Sequence, residues 1–428
     1  MDAITTTAFL DIETLKEVLE RGYLKGIPQH ILRDFTRARY RKKIFNQIVK
    51  GTYEVEVPHQ FFVDKKEIDP LTHKPKQRGV IANTGKDRVV FALIMRAMFK
   101  CLSKMIHERC KSYMRGTSCS LVVEELVEAT KWMEQFGRGL KYDIKKYFDS
   151  LPIADIDKQF DIATIFLKEQ SPALELCRSY YHNDRFYDVN GVLQNKYMSL
   201  KQGCAVASFL ADSSLYSMDA KIAKLNVYYV RYCDDMVVIG PDLEKADAII
   251  REELASHGLS LNEKKIEEIS YDKWFTFLGY SIKGSEISFS PHAVKSFQSM
   301  ITDAVFKSGC KTIEAVKNKI NKALYDGYLG YSWAKRYLLN VTCENDLVAL
   351  DTYIRDSIRA FITKKRKIGG LGCNYSLKDG CVQRGTGKNV RANRLKIPEI
   401  EDYTTLTCMR DNMRTNEAAY EYMKLNVI

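Results

Sequence analysis

Two adjacent carboxylates, Asp234 and Asp235, stand between two β-favouring runs, Val227 to Val230 and Met236 to Ile239. Branched and aromatic residues suit a pleated strand, so Tyr232 to Asp235 is expected at or near a hairpin turn. Like charges side by side repel, and Arg231 is the one cation close enough in sequence to offset them. A divalent cation resolves the repulsion, although an isolated pair reads more readily as a solvated turn. A third acid changes that reading. Asp143 ends an expected strand, Leu140 to Ile144, and lies 91 positions before Asp234. Strand-end carboxylates from separate elements can converge on one pair of metal ions. Two Mg²⁺ ions ~4 Å apart lower the pKa of an attacking hydroxyl and hold a leaving pyrophosphate. Such hard cations choose oxygen ligands and keep substrate phosphates in their shell. Asp143, Asp234 and Asp235 are therefore the candidate ligands of two Mg²⁺ ions, with Mn²⁺ as a substitute. Asp149, six residues after Asp143, is read instead as a helix cap or structural partner.

Other elements must hold these acids in place. Gln202-Gly203 turns into a helix lined with small residues, which let another backbone or a flat ligand approach closely. Residues 52–63 alternate as a strand, and Lys74 to Arg78 reads as a basic loop running into a second one. Lys and Arg there suit a triphosphate, since Arg answers phosphate oxygens bidentately. Lys86-Asp87-Arg88 opens an apolar helix to about Ile106, with a buried stripe of Phe91, Ile94, Met95, Met98, Leu102 and Met105. Further helices are expected at about 121–136, 154–180 and 243–257, with a hairpin at Asn190-Gly191. Ser290-Pro291, a hydroxyl cap before Pro, starts a helical region whose three apolar stripes predict three helices packed together.

Composition limits what this framework serves. The 428 residues, 45% hydrophobic and 28% charged, suffice for two or three globular domains. No apolar run approaches the ~20 residues of a membrane helix, and the N-terminal residues show no secretory pattern. No membrane partner is expected. Eleven cysteines without a CxxC pair argue against a zinc site or a disulfide framework, and for reduced thiols in a cytoplasm. A net charge of +12 fits a polyanionic partner. The charge is concentrated in two places. Residues 21–50 carry nine Lys or Arg against Asp34 on a helical pattern, where Arg37, Arg41, Lys42 and Lys43 are candidate RNA contacts. Residues 363–397 carry ten against Asp379, led by Lys364, Lys365, Arg366 and Lys367, the strongest candidate nucleic-acid surface.

Taken in order, these pieces resemble the palm of a reverse transcriptase. Asp143-Ile-Lys-Lys-Tyr-Phe148-Asp149 is similar to the first catalytic motif, and Tyr232-Cys-Asp-Asp235 to the Tyr-x-Asp-Asp box. Gln202-Gly203 resembles the template and nucleotide motif, and Asn262 to Lys265 and Phe277-Leu278-Gly279 the two that follow. Arg78-Gly-Val-Ile and Asp87-Arg88-Val-Val resemble fingers motifs, so the likeness covers about residues 60–285.

The resemblance implies an α+β right-hand polymerase fold. Residues 1–60 would be a basic helical extension and 61–140 the fingers. The palm would span 141–285 with an insertion at about 154–197, followed by a helical thumb at 286–362 and a basic RNA-binding segment at 363–428. It also implies roles. Asp143 and Asp234 would bind both metals, with Asp235 and the Ile144 carbonyl assisting. Phe148 would exclude a 2′-hydroxyl, which favours DNA synthesis. Lys76 and Arg78 would hold the triphosphate, and Gln202 and Gly203 the incoming nucleotide or template. Lys265, with Lys264 equally near, would protonate pyrophosphate. Tyr232 and Phe277-Leu278-Gly279 would meet the primer and template.

Relatives of the group II intron type usually read Pro-Gln-Gly and then Ser-Pro, where this chain has Lys201 and Ala207-Ser208, and Asp212 stands where Asn is common. With no Cys/His endonuclease module and no space for a ribonuclease H domain, the chain resembles the stand-alone, defence-associated "unknown group" of prokaryotic reverse transcriptases, class 2. Such enzymes imply a structured noncoding RNA as template and scaffold, dNTP substrates, a cDNA product and antiviral immunity. Template-independent or protein-primed DNA synthesis on the same fold, and a maturase-like RNA-binding role, remain alternatives; the intact acids speak against an idle site.

Overall fold

In the computed structural model, which describes residues 2–20, 24, 26–68, 75–114, 116–195, 199–325, 332–364, 376–378, 381–383 and 406–415, four helices come first. They are α1 (Ala3–Phe9), α2 (Ile12–Glu20), α3 (Gln29–Thr36) and α4 (Ala38–Val49). The hairpin of β1 (His59–Ile68) and β2 (Pro75–Ala82) follows, antiparallel with Phe61 opposite Val80. The strand expected at 52–63 thus starts only at His59. Pro58 has no N–H for a ladder, and the residues before it are tied elsewhere. The Tyr53 hydroxyl donates to Asp87 Oδ1 (2.5 Å) and the Glu56 N–H to Asp87 Oδ2 (2.8 Å). Residues 75–78, read as loop, are strand.

Helix α5 (Gly85–Cys101) is apolar on all sides from Val89 to Phe99, apart from Arg96, and is buried on all of them rather than along one stripe. A helix hydrophobic all round belongs inside. After α6 (Cys119–Phe136), β3 (Gly139–Asp143) and the short α7 (Tyr147–Ser150), the helix expected at 154–180 is two: α8 (Ile153–Leu167) and α9 (Pro172–His182). Lys168 takes a left-handed conformation that ends α8, and Pro172, which lacks an N–H, opens α9. The predicted hairpin follows as β4 (Arg185–Tyr187) and β5 (Leu193–Asn195). Next come α10 (Val206–Ser214), α11 (Tyr216–Ile222), β6 (Tyr228–Tyr232), β7 (Asp235–Ile239), α12 (Leu243–Ser256) and β8 (Glu267–Ile269). One sheet has the order β2-β1-β4-β5 and another β6-β7-β3-β8.

The strands β9 (Phe275–Phe277), β10 (Tyr280–Lys283) and β11 (Glu286–Phe289) form a meander. Helices α13 (Pro291–Thr302), α14 (Ile313–Tyr325), α15 (Trp333–Tyr337) and α16 (Glu344–Thr363) succeed them, then β12 (Ser376–Lys378), β13 (Cys381–Gln383) and α17 (Leu406–Thr415). Ser290 caps α13 as expected, its side chain accepting from the Ala293 N–H. The fold class is α+β. Contacts divide the chain into two units, Met1–Thr117 with Gly139–Glu268, and Ser118–Arg138 with Ile269–Ile428. This differs from the boundaries expected at 140 and 285. Helix α6 joins the C-terminal helices because Thr130 Oγ1 donates to the Gly284 carbonyl (3.1 Å) and Asn340 Nδ2 to the Ser120 carbonyl (2.9 Å). Among the described residues no helix is long and apolar enough to cross a membrane.

Candidate active site

Strand pairing brings the three acids together. In the antiparallel ladders, Asp235 lies opposite Tyr232 in β6 and opposite Asp143 in β3. The Ile144 N–H donates to the Asp234 carbonyl (3.1 Å), so the strand end and the turn share a hydrogen bond. Asp143 has two further partners. Lys265 Nζ donates to its Oδ2 (2.9 Å) and Asn262 Nδ2 to its Oδ1 (3.3 Å). Lys265 rather than its equally near neighbour Lys264 makes this contact, and Asn262 is a partner that sequence reasoning did not single out.

The electrostatics combine burial with a mutual repulsion that nearby cations offset only in part. Burial first, then the charges of Asp234 and Asp143, push the Asp235 carboxyl up to about 6. Asp234 is raised as well, by burial and by Asp143, against the opposing fields of Lys265 and Arg78. Arg231, the expected counter-charge, is spent elsewhere. It is fully buried and forks onto Asp219 through Nε (2.9 Å to Oδ1) and Nη2 (2.6 Å to Oδ2). Among the described residues no three acidic, His or Cys groups converge tightly enough to hold a metal ion alone. Hard oxygen donors in mutual repulsion nevertheless fit a cation that brings ligands of its own, as one carrying substrate phosphates does.

That repulsion has a measurable consequence. A carboxyl raised from 3.8 to about 6 binds its proton more tightly when folded. Its contribution to stability is therefore full below pH ~4 and lost as pH rises through ~6. A bound cation would take the place of the lost proton. Mg²⁺ is expected to raise the melting temperature at pH 7.5 and much less at pH 5, and Asp235→Asn should flatten that difference. An equal Mg²⁺ effect at both values would count against these carboxylates as the ligands.

The turn that presents the acids is strained and braced. Cys233 takes φ +60°, a region side chains avoid, and such residues persist where their surroundings over-determine them. Its N–H donates to Ser112 Oγ (2.9 Å), and its carbonyl accepts from Arg231 Nη1 (3.3 Å). Ser112 in turn donates to Asp212 Oδ1 (2.7 Å). Burial holds the Asp212 carboxyl up at about 7 against the pull of Arg231. Ser112, Asp212, Asp219 and Arg231 thus form a buried polar network beneath the turn. Sequence reasoning missed it, since Asp212 was legible only as a departure from a family pattern.

Phe148, Gln202 and Gly203 line one cavity, and Asn83, Arg88 and Tyr113 line it too, unforeseen from the sequence. Tyr147, whose hydroxyl donates to the Ala211 carbonyl (2.5 Å), anchors the turn that carries Phe148. Gln202 Nε2 reaches Asp149 Oδ2 at 3.5 Å, the structural partnership expected of that acid. Gly203 admits no side chain, because a Cβ would lie 2.3 Å from Ala82 Cβ and 2.5 Å from the Ile81 carbonyl. Lys201 is 6% exposed and caps the C-terminus of α9. Its ammonium donates to the carbonyls of Tyr180 and Asn183, each at 2.5 Å, where the helix dipole favours a cation.

The remaining predicted residues divide. Arg78 is exposed on β2; the Lys76 side chain lies outside the described residues. Tyr232 is half-buried at the end of β6. Phe277 closes β9 and Leu278-Gly279 is the turn into β10. These three belong to the second unit, where a Cβ on Gly279 would lie 2.9 Å from the Tyr337 hydroxyl. On α4, Lys42 and Lys43 line an open cleft of about 410 Å³ with Arg39 and Lys50. Arg37 is exposed and paired with Asp34 (3.1 Å). Arg41 is a correction: it is 6% exposed, its guanidinium donating to the carbonyls of Phe9, Phe35 and Thr36, and offers nothing to RNA. Lys364 is exposed at the end of α16, and Lys365, Arg366 and Lys367 lie outside the described residues.

Residues 65–282, just over half of the chain, match the family described as reverse transcriptase (RNA-dependent DNA polymerase). No curated protein matches the chain. Solved structures similar to it include apo telomerase from Candida tropicalis, with 13% identity over 75% of this chain and 62% of that one and a TM-score of 0.43. Another is telomerase from Candida albicans in complex with a TWJ fragment of telomeric RNA, with 13% identity over 83% and 63% and a TM-score of 0.40. A C. tropicalis telomerase lacking its C-terminal domain matches at 12% identity over 57% and 59%, with a TM-score of 0.38. The chain spans about three fifths of the length of these solved chains. The family assignment rests on the sequence match.

Proposed function

Because the chain belongs to the reverse transcriptase (RNA-dependent DNA polymerase) family, we propose that it adds deoxynucleotides to a 3′-hydroxyl, copying RNA into cDNA. The observation that carries this reading is the ladder register that sets Asp143 opposite Asp235 beside the Asp234 turn. Asp143, Asp234, Asp235 and the Ile144 carbonyl are the groups that would hold two Mg²⁺ ions, with Mn²⁺ as substitute. When bound, these ions would lower the pKa of the attacking hydroxyl and neutralise the pyrophosphate charge. The chain's own residues do the rest. Arg78, whose field reaches Asp234, and Lys76 bind the triphosphate. Phe148 stacks under the sugar and shuts out a 2′-hydroxyl, while Gln202 positions the nucleotide. Lys265, hydrogen-bonded to Asp143 before substrate enters, is placed to give a proton to pyrophosphate.

Residues 61–140 then serve as fingers, 141–285 as palm and 286–362 as thumb, with Tyr232 in the palm motif meeting the primer and Phe277-Leu278-Gly279 the primer or template. In the wider role, the chain is a stand-alone defence-associated enzyme of the "unknown group", class 2, copying a structured noncoding RNA in anti-phage immunity. Support comes from the ordered motifs and the two basic segments, of which the α4 cleft with Arg39, Lys42, Lys43 and Lys50 suits RNA phosphates.

The test is primer extension by the purified protein on an RNA template with Mg²⁺, together with sequencing of RNA and DNA that copurify from its host. The wild type is expected to add dNTPs and reject rNTPs. Phe148→Ala should admit rNTPs, with the dNTP preference falling on the order of 100-fold, the effect of removing a steric block worth a few kcal/mol. Unchanged sugar selection in that variant would remove Phe148 from the gate, and no extension at all would sink the polymerase reading.

A further inference from the structure

The cavity lined by Phe148 and Gln202 has a volume of about 230 Å³, and Asn83 belongs to its wall. Asn83 follows directly on β2 and is 5% exposed. Its Oδ1 accepts the Tyr180 hydroxyl at 2.8 Å, whereas its Nδ2 is a buried donor without a partner. Buried polar groups are nearly always paired, so a donor left unpaired on a cavity wall is available to whatever fills the cavity. The amide is also held in place: with the Tyr180 hydroxyl donating to its oxygen, Nδ2 is the atom left for a ligand, and Tyr180 is itself pinned. Lys201 Nζ donates to the Tyr180 carbonyl and lies 4.0 Å from the centre of its ring. From the other side, the Gly203 N–H donates to the Ile81 carbonyl (3.0 Å), which fastens the Gln202 turn to the end of β2 that carries Asn83.

An uncharged donor serves a neutral base acceptor, and in the reading above Arg78 and Lys76 answer the phosphates. A polymerase must also accept four different bases. An N–H aimed at a base is compatible with all of them only where each offers an acceptor, and the minor-groove edge does so through purine N3 or pyrimidine O2. Resting on the polymerase reading above, we propose that Asn83 Nδ2 donates a hydrogen bond to this shared acceptor on the nucleotide occupying the cavity. Asn83 is then a substrate-binding residue, and Tyr180 with Lys201 positions it.

The experiment compares dATP with 3-deaza-dATP, which lacks the N3 acceptor, in wild type, Asn83→Ala and Tyr180→Phe. KM and kcat are measured in primer extension, and affinity by equilibrium binding of each nucleotide to the protein. Wild type is expected to bind dATP about five- to tenfold more tightly than the analogue, the worth of one hydrogen bond. In Asn83→Ala the ratio should fall to about one, because only dATP has a bond to lose. Tyr180→Phe should reduce it in part by freeing the amide. A merely structural role would weaken both nucleotides equally and leave the ratio intact, which would overturn the proposal. Equal use of both nucleotides by the wild type would overturn it as well. If the wild type extends no primer, the polymerase reading fails, and the binding ratio still decides the role of Asn83.

Discussion

Replacing Asp234 and Asp235 together by Ala is expected to lower Mg²⁺-dependent dNTP incorporation on an RNA template by on the order of 10³-fold or more. Charge stabilisation of this type is worth several kcal/mol, and each 1.36 kcal/mol is a factor of ten in rate. The two acids do not carry equal weight. Asp234 lies in the turn outside the ladder, its carbonyl accepting from the Ile144 N–H, while Asp235 opens β7 and is paired with Tyr232 and Asp143. Asp235→Ala alone should therefore cost less than Asp234→Ala alone. The double variant should not unfold the protein, because it removes two mutually repelling carboxylates whose pKa values are both raised in the fold. Single-turnover extension under saturating primer-template, with a melting curve for each variant, measures both effects. Undiminished synthesis by the double variant would remove the carboxylates from the chemistry.

Arg231→Met is expected to be the most destabilising single change in the first unit. Arg231 is fully buried and compensates Asp219, while Asp212 lies 3.8 Å away at its Oδ1. Removing one partner from a buried charge pair typically costs about 3–5 kcal/mol, because the other charge is left uncompensated. For a unit of this size that is a fall in melting temperature on the order of 10 °C. The loss should also reach the chemistry. The Cys233 carbonyl loses its donor, the strained turn relaxes, and kcat should fall further than the unfolded fraction explains. Adding Asp219→Leu should recover part of the stability, since an apolar pair in place of a buried ion pair is often neutral or better. It should not recover kcat, as Cys233 remains without its donor. A melting temperature within a degree or two of wild type for Arg231→Met would show that the network is not what holds the hairpin.

Much of this site was legible from residue types and spacing. The β-favouring arms around Tyr232 to Asp235 made a hairpin, and Leu140 to Asp143 made the strand that pairs with it. Ser290-Pro291 started its helix, and Asn190-Gly191 its hairpin. These are local matters: period-two alternation, a hydroxyl cap, a residue with no N–H. Local rules also explain where the reading slipped. Residues 52–57 alternate like a strand, but Asp87, some thirty positions away, takes their polar groups. Residues 154–180 keep a helical pattern across a break that Lys168 and Pro172 impose.

Partnership over long sequence distances was not legible. Arg231 looked like the counter-charge of Asp234 because it is close in sequence, but its guanidinium is committed to Asp219. Arg41 looked like one more cation on a basic face, yet the packing of α1 and α3 surrounds it with carbonyls that only a buried guanidinium satisfies. Lys201 looked like a departure from a family pattern and proved to be the cap of α9. Asn83 carried no signal at all. Its significance lies in having one amide atom paired and the other not.

The sequence by itself therefore determined the kind of chemistry, because three acids, an aromatic and a Gln-Gly turn in that order leave few alternatives. The fold class followed from the likeness of the ordered motifs to a reverse transcriptase, while apolar periodicity placed many of the individual strands and helices. Only the tertiary structure decided what each polar group is tied to. A hydrogen bond or ion pair depends on a few ångströms between residues a hundred positions apart, and no local pattern encodes that distance. This is why Asp143, Asp234 and Asp235 could be named from their types, whereas Ser112, Asp212, Arg231 and Asn83 could be understood only from where the chain had folded them.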